Sequence, residues 1–236
     1  MVPNFNINIF YMYQAAFEKI KKSIFPIFFE KKDIGKIDIG VLGTGFFINS
    51  TGYFITADHV ISSLPVGSNP VYFGNIPVSI LPQPLLIKEV FKDSKRDVFL
   101  GKIDVKKSIP VDLNFEKQSI GKSLCLCGYP LAQLFFTAEG LLNLGNVRQY
   151  WQPSFLIDNF IGEVDNKFYQ GFITQHTSLN GMSGGPVFDT EGVVHGIDVA
   201  MITRAIKVQN QPDLIVQNGV VIDNIYVKDI FDKIIK

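Results

Sequence analysis

A chain of 236 residues with 47% hydrophobic and 19% charged side chains can bury a sizeable core and is too apolar to remain unfolded. Lys plus Arg and Asp plus Glu each total 22, with no long run of one sign, so no broad field attracts a phosphate backbone and nucleic acid is not an expected partner. The most apolar stretch, IFPIFF, ends at Glu30, far short of the roughly 20 residues a membrane crossing needs, so no membrane partner is expected.

The opening MVPNFNINIFYMYQ has no basic leader region and no small-residue cleavage site, which argues against classical secretion. From Phe10 the apolar residues Phe10, Tyr13, Phe17, Ile20 and Ile24 recur at intervals of three and four. This spacing predicts an amphipathic helix capped by Asn8 and ended at the latest by Pro26, an extension over residues 1–24. Lys19, Lys21 and Lys22 form its wet face.

From Phe25 to about residue 115, short runs of Ile, Val and Phe are broken by turn signals such as INSTGY and LPVGSNP, the rhythm of an all-β barrel or sandwich. A second set of such runs fills the portion from 116, and the crossover between the two falls near residues 110–122. Cys125 and Cys127, the only cysteines, point to one face of the strand SLCLCGY, where disulfide geometry is rarely met; two buried thiols and a cytoplasmic location are expected. The segment Gln149–Gln170, with Trp151, reads as a loop, either packed on the second half or open to control by a regulatory protein partner. Val227, Ile230, Phe231, Ile234 and Ile235 restore a helical period behind Asp223 or Asn224 as cap, so a closing helix completes the second portion, 116–236.

The chemistry is concentrated in LNGMSGGPVFD, where Ser183 stands among Gly181, Gly184 and Gly185. A serine attacks a carbonyl only if its oxygen is exposed and backbone amides face the developing oxyanion, which calls for a tight turn that glycine permits. The Gly181 and Ser183 amides are the expected oxyanion donors, each worth about 2.7–4 kcal/mol in the transition state. Serine also needs a neutral base, and the chain has three histidines, His59, His176 and His195. His59 ends the apolar run GYFITADH, where a side chain can be presented to a cleft. His176 and His195 lie seven residues before and twelve after Ser183, positions suited to a substrate pocket or to a satisfied strand histidine. The imidazole in turn needs a carboxylate, and Asp97 opens the apolar strand of KRDVFLGKI, whereas Asp93, Asp104 and Asp112 sit in polar surroundings.

GTGFFINSTGYFITADHVI, RDVFLGKI and GMSGGPVFD, in that order, resemble the histidine, aspartate and serine motifs of the trypsin/chymotrypsin-like serine proteases, and are most similar to the bacterial HtrA-type branch. The segment FEKIKKSIFPIF resembles the helix and first strand of that branch, and GYP and LGNV resemble strand starts in its second barrel. The resemblance implies two packed six-stranded antiparallel β-barrels, 25–115 and 116–236, with a cleft between them. It also implies a serine endopeptidase acting on polypeptides through His59, Asp97 and Ser183, with no metal or organic cofactor and without the appended PDZ module. A protease-fold binding protein without turnover, or a protease kept idle until a partner binds, are the rival readings. The same resemblance places Thr177, six residues before the serine, at the base of the substrate pocket, followed by Ser178. Asp198 reaches the pocket wall or is a hydrogen-bonded strand residue, and His176 is a further lining candidate, so the preferred residue before the scissile bond stays open. Two departures stand out: Phe99 and Gly101 after the aspartate, and Met182 where trypsin carries the aspartate that pairs with a newly cut N-terminus.

Overall fold

Alternation of buried and outward residues along runs of β-branched and aromatic side chains produces fifteen strands among the described residues. The structure, a computed structural model, describes residues 12–34, 36–74, 83–130, 132, 135–136, 142–143, 147–207 and 213–232. Helix α1 (Gln14–Ile20) is shorter than its apolar stripe: Ile24, the last stripe residue, already belongs to the first strand, and Asn8 and Phe10 lie outside the described residues. Ala16 and Ile20 are buried, and the Phe17 ring meets Trp151 edge-on at 4.5 Å. The helix therefore packs on the second half of the molecule.

The first barrel uses β1 (Ile24–Asp33), β2 (Lys36–Phe47), β3 (Tyr53–Ala57), β4 (Asn69–Tyr72), β5 (Leu85–Asp93) and β6 (Val98–Ile103). They close in the order β1-β2-β3-β6-β5-β4, with short helix α2 (Asp58–Ser62) inserted after β3. Its core is aromatic: Phe25 lies 4.5 Å from Phe47 and 5.3 Å from Phe54, ring centre to ring centre. Gly101, one of the two departures beside the aspartate, is explained here. It pairs with Phe54 across β3 and β6, and any side chain at 101 would overlap the Phe54 ring.

The second half contains β7 (Asp112–Leu113), β8 (Ser123–Gly128), β9 (Phe135–Phe136), β10 (Leu142–Asn143), β11 (Tyr150–Val164), β12 (Lys167–Thr174), β13 (Pro186–Phe188), β14 (Val193–Ile206) and β15 (Leu214–Asp223). Six of these run β13-β8-β11-β12-β15-β14, and pairing of β13 with β14 closes the ring. Strand β7 is added in parallel to β14, while β9 and β10 form a separate two-stranded piece. The expected pair of six-stranded barrels is thus present. GYP closes β8 rather than opening a strand, and most of LGNV lies outside the described residues. Cys125 and Cys127 are buried and unpaired, and burial pushes the Cys125 thiol up to about 12.

Two further expectations change. The Gln149–Gln170 segment is not a loop but most of the β11–β12 hairpin, reversed at Asp165 and Asn166, whose φ angles are 51° and 63°. A two-residue hairpin turn of type I′ needs φ above zero at both positions, and Asp and Asn accept that conformation best among residues other than glycine. At the C-terminal end a 3-10 turn (Asn224–Val227) precedes α3 (Lys228–Phe231), with the Asp223 carboxylate accepting from the Ile225 amide at 3.1 Å. Val227, Ile230 and Phe231 are fully buried; Ile234 and Ile235 lie outside the described residues.

Candidate active site

The register of β3 and β6 pairs Ala57 with Val98, so the residues just beyond, 58–59 and 97, are neighbours although far apart in sequence. Asp97 itself has φ 56°, a left-handed conformation that aspartate tolerates and that turns its carboxylate toward the start of α2. Its carbonyl accepts from the Asp58 amide at 3.0 Å, and its Oδ1 accepts from the His59 amide at 2.9 Å. Its Oδ2 stands 2.8 Å from His59 Nδ1. Lys167 Nζ also donates to Oδ1, and the Tyr169 hydroxyl donates to Oδ2 at 2.9 Å. Burial pushes the Asp97 carboxyl up, but the hydrogen bond and charge of His59, with help from Lys167, outweigh it and hold the group below the usual carboxylate range. An ionised carboxylate only accepts, so Nδ1 of His59 carries a proton and Nε2 is left as the basic atom of the neutral ring. The aspartate is fully buried while the imidazole is 36% exposed.

Ser183 lies in the turn between β12 and β13, seated against the first barrel. Its carbonyl accepts from the Thr44 amide at 2.9 Å. A Cβ on Gly43 would stand 2.8 Å from that carbonyl and 2.7 Å from Val60, the residue after His59, so the serine turn and the histidine helix press on one bare backbone position. Gly184 adopts φ 84°, and any side chain there would strike Thr56 and Thr44. The Thr44 hydroxyl donates to the Gly181 carbonyl at 2.7 Å and accepts from the Tyr129 amide at 3.1 Å. Within the turn the Met182 and Gly184 amides are taken by the carbonyls of Leu179 and Asp198. Among the described residues the Gly181 and Ser183 amides have no acceptor, and Ser183 Oγ and His59 Nε2 are not hydrogen-bonded to one another or to any other group. Met182 fills a buried apolar cluster with Leu126, Phe172 and Val187, a packing role at the second departure.

The proposed pocket residues separate into two groups. Ser178 donates its hydroxyl to Asp198 Oδ2, Asp198 Oδ1 and Thr177 Oγ1 are buried without a partner, and Asp198 lies close enough to His59 to feel its charge. His176 is exposed, its amide held by Ser154 Oγ at 3.2 Å. His195 is elsewhere: buried in β14, with Nε2 2.7 Å from Asp189 and 3.0 Å from Lys122 Nζ. It is a structural strand histidine held through Nε2, while its Nδ1 is buried without a partner among the described residues.

Burial raises the Asp198 carboxyl to about 7, against the Ser178 hydrogen bond and the His59 charge. An acid that binds its proton more tightly when folded loses folding stability as pH rises from the unfolded value, about 4, to the folded one, and nothing further above it. Asp198→Asn is therefore expected to be more stable than the parent by about 4 kcal/mol at pH 8 and to match it near pH 4, by urea unfolding at both values. An equal difference at the two pH values would contradict this.

Lys167, Tyr169 and Thr44 escaped sequence reasoning. Lys167 looks like any basic residue after a turn. The Asp165-Asn166 pair is a turn signal that could have revealed the hairpin that carries it, but nothing local names its partner 70 positions away.

The family described as "Trypsin-like peptidase domain" matches residues 43–197. The "Probable periplasmic serine endoprotease DegP-like" of Pseudomonas putida is 29% identical over 167 residues, 70% of this chain but 30% of that protein; the chain thus spans under a third of the curated relatives it matches. Among solved structures, the HtrA-type protease AlgW with decapeptide superposes with a TM-score of 0.67 at 16% identity, covering 94% of this chain and 67% of the other. An M. tuberculosis protease in its active form gives 0.64 at 17% identity, covering 95% and 86%. At these identities the structural likeness is one of fold. The relatives' name also overturns the expected cytoplasmic location, since they are called periplasmic. The cysteines misled because residues two apart on one strand stay unpaired for geometric reasons that carry no information about compartment.

Proposed function

Since the chain belongs to the trypsin-like peptidase domain family, we propose that it is a serine endopeptidase that hydrolyses peptide bonds through an acyl-enzyme. The observation that carries this reading is His59 Nδ1 held 2.8 Å from a buried, ionised Asp97, beside a glycine turn with two unengaged amides. Ser183 Oγ attacks the substrate carbonyl carbon and gives its proton to His59 Nε2. The Gly181 and Ser183 amides receive the negative charge that moves onto the carbonyl oxygen. His59 then protonates the departing amine, the C–N bond breaks, and water repeats the sequence to release the acid and restore the serine. Asp97 holds the ring in the required tautomer and stabilises the imidazolium. Thr177, Ser178 and Asp198 form the polar floor of the pocket for the residue before the scissile bond, with His176 at its rim.

Treating the intact protein with a fluorophosphonate and mapping the adduct by peptide mass spectrometry tests the assignment, alongside cleavage of unfolded casein. The expected result is a single adduct on Ser183. An adduct on a different residue, or none with casein left whole, would refute it.

The unmade bond between Ser183 and His59 favours a second reading, a protease held idle until a regulatory protein partner aligns the two. Catalytic hydrogen bonds are often long before substrate binds, so the first reading needs no partner. Labelling that appears only when cell extract is added would select the second.

A further inference from the structure

We infer that Lys167 is a positioning residue that acts through Asp97 to set how acidic a medium the His59 base tolerates; this rests on the serine endopeptidase reading above. The β11–β12 hairpin springs from the second barrel, yet its first residue after the turn reaches a fully buried carboxylate of the first. Lys167 and Tyr169 are two apart on β12 and so project from the same face. Together they take the two acceptor positions that His59 leaves: Oδ1 accepts from Lys167 Nζ and the His59 amide, Oδ2 from the Tyr169 hydroxyl and His59 Nδ1. Four donors fill the four lone pairs of the carboxylate, which locks its orientation. Burial and the nearby Asp97 charge hold the Tyr169 hydroxyl protonated well above its ordinary range, so it is a fixed donor.

The ammonium does more than hold. A cation on Asp97 competes with the imidazolium for the same negative charge, in a pair whose lysine side chain is only 24% exposed. The protonated, inactive form of the base is thereby disfavoured, and activity extends to lower pH. The other charged groups around the pair have their own partners. Lys92 lies 3.2 Å from Asp58, and Arg96 is bonded to Asp93 and Asp229. Asp165 at the hairpin turn acts on Tyr169, and Asp198 behind the serine turn is engaged by Ser178. Lys167 is the cation whose counter-charge is the aspartate itself.

The test is the pH dependence of fluorophosphonate labelling rate for the parent, Lys167→Met, Lys167→Gln and Lys167→Arg. The charge-removing Met and Gln variants are expected to move the acid limb upward by about one pH unit, roughly tenfold slower labelling at a given pH on that limb. The Arg variant, which keeps the charge, should follow the parent. Because Gln retains a hydrogen-bond donor, a shift in Met but not in Gln would overturn the charge argument, as would parent-like limbs in both. Absence of label in the parent at every pH would instead defeat the endopeptidase reading.

Discussion

Ser183→Ala is expected to abolish labelling and to lower kcat by about 10^6-fold with little change in KM or in the unfolding midpoint. The reason is local. The turn is held by its backbone, through the Ser183 carbonyl on the Thr44 amide, the Gly184 amide on the Asp198 carbonyl and the Met182 amide on the Leu179 carbonyl. None of these bonds uses the hydroxyl, and the amides left for the oxyanion survive the substitution. What disappears is the covalent step alone. Progress curves on a peptide substrate decide the matter: residual turnover within a hundredfold of the parent would mean that another group supplies the nucleophile.

Asp97→Asn is the second large effect, expected at about 10^4-fold in kcat. The parent carboxylate accepts four hydrogen bonds, from the His59 amide and ring, Lys167 and Tyr169. An asparagine has one accepting oxygen and an NH2 group that must face some of those donors. If the NH2 faces His59 Nδ1, the ring is driven into the opposite tautomer, with its proton on the atom that should accept from Ser183. If it faces Lys167 and the His59 amide instead, the ring keeps its partner but an ammonium is left without its counter-charge. Steady-state rates above pH 7 read this directly, and a loss below tenfold would contradict the role given to Asp97.

Much of the architecture was legible from local pattern. Short β-branched runs between turn signals marked the strands, and three motifs in order marked the family, because a serine on an exposed glycine turn and a histidine just past a strand leave signatures within ten residues of themselves. Misreadings arose where local pattern competes with longer-range packing. The helical stripe ran on to Ile24, but a buried position in the first barrel claimed that residue for β1. The polar and aromatic mixture of residues 149–170 looked irregular because β11 carries Phe155, Ile157 and Ile161 at exposed positions while Phe160, Gly162 and Val164 are only half-buried, which blurs the alternation of apolar and polar residues by which strands are recognised.

By itself, then, the amino-acid order determined the strand-forming runs, the glycine turn at 181–185 and the residue types able to do acyl-transfer chemistry, all of which depend on backbone preferences and neighbours in sequence. Tertiary structure alone decided that β12 returns to place Lys167 and Tyr169 on Asp97, that Thr44 braces the serine turn, and that His195 serves Asp189 instead of the cleft. Those contacts are set by strand register and by the closure of each barrel, and a register is the property of two strands together, so neither strand's sequence contains it.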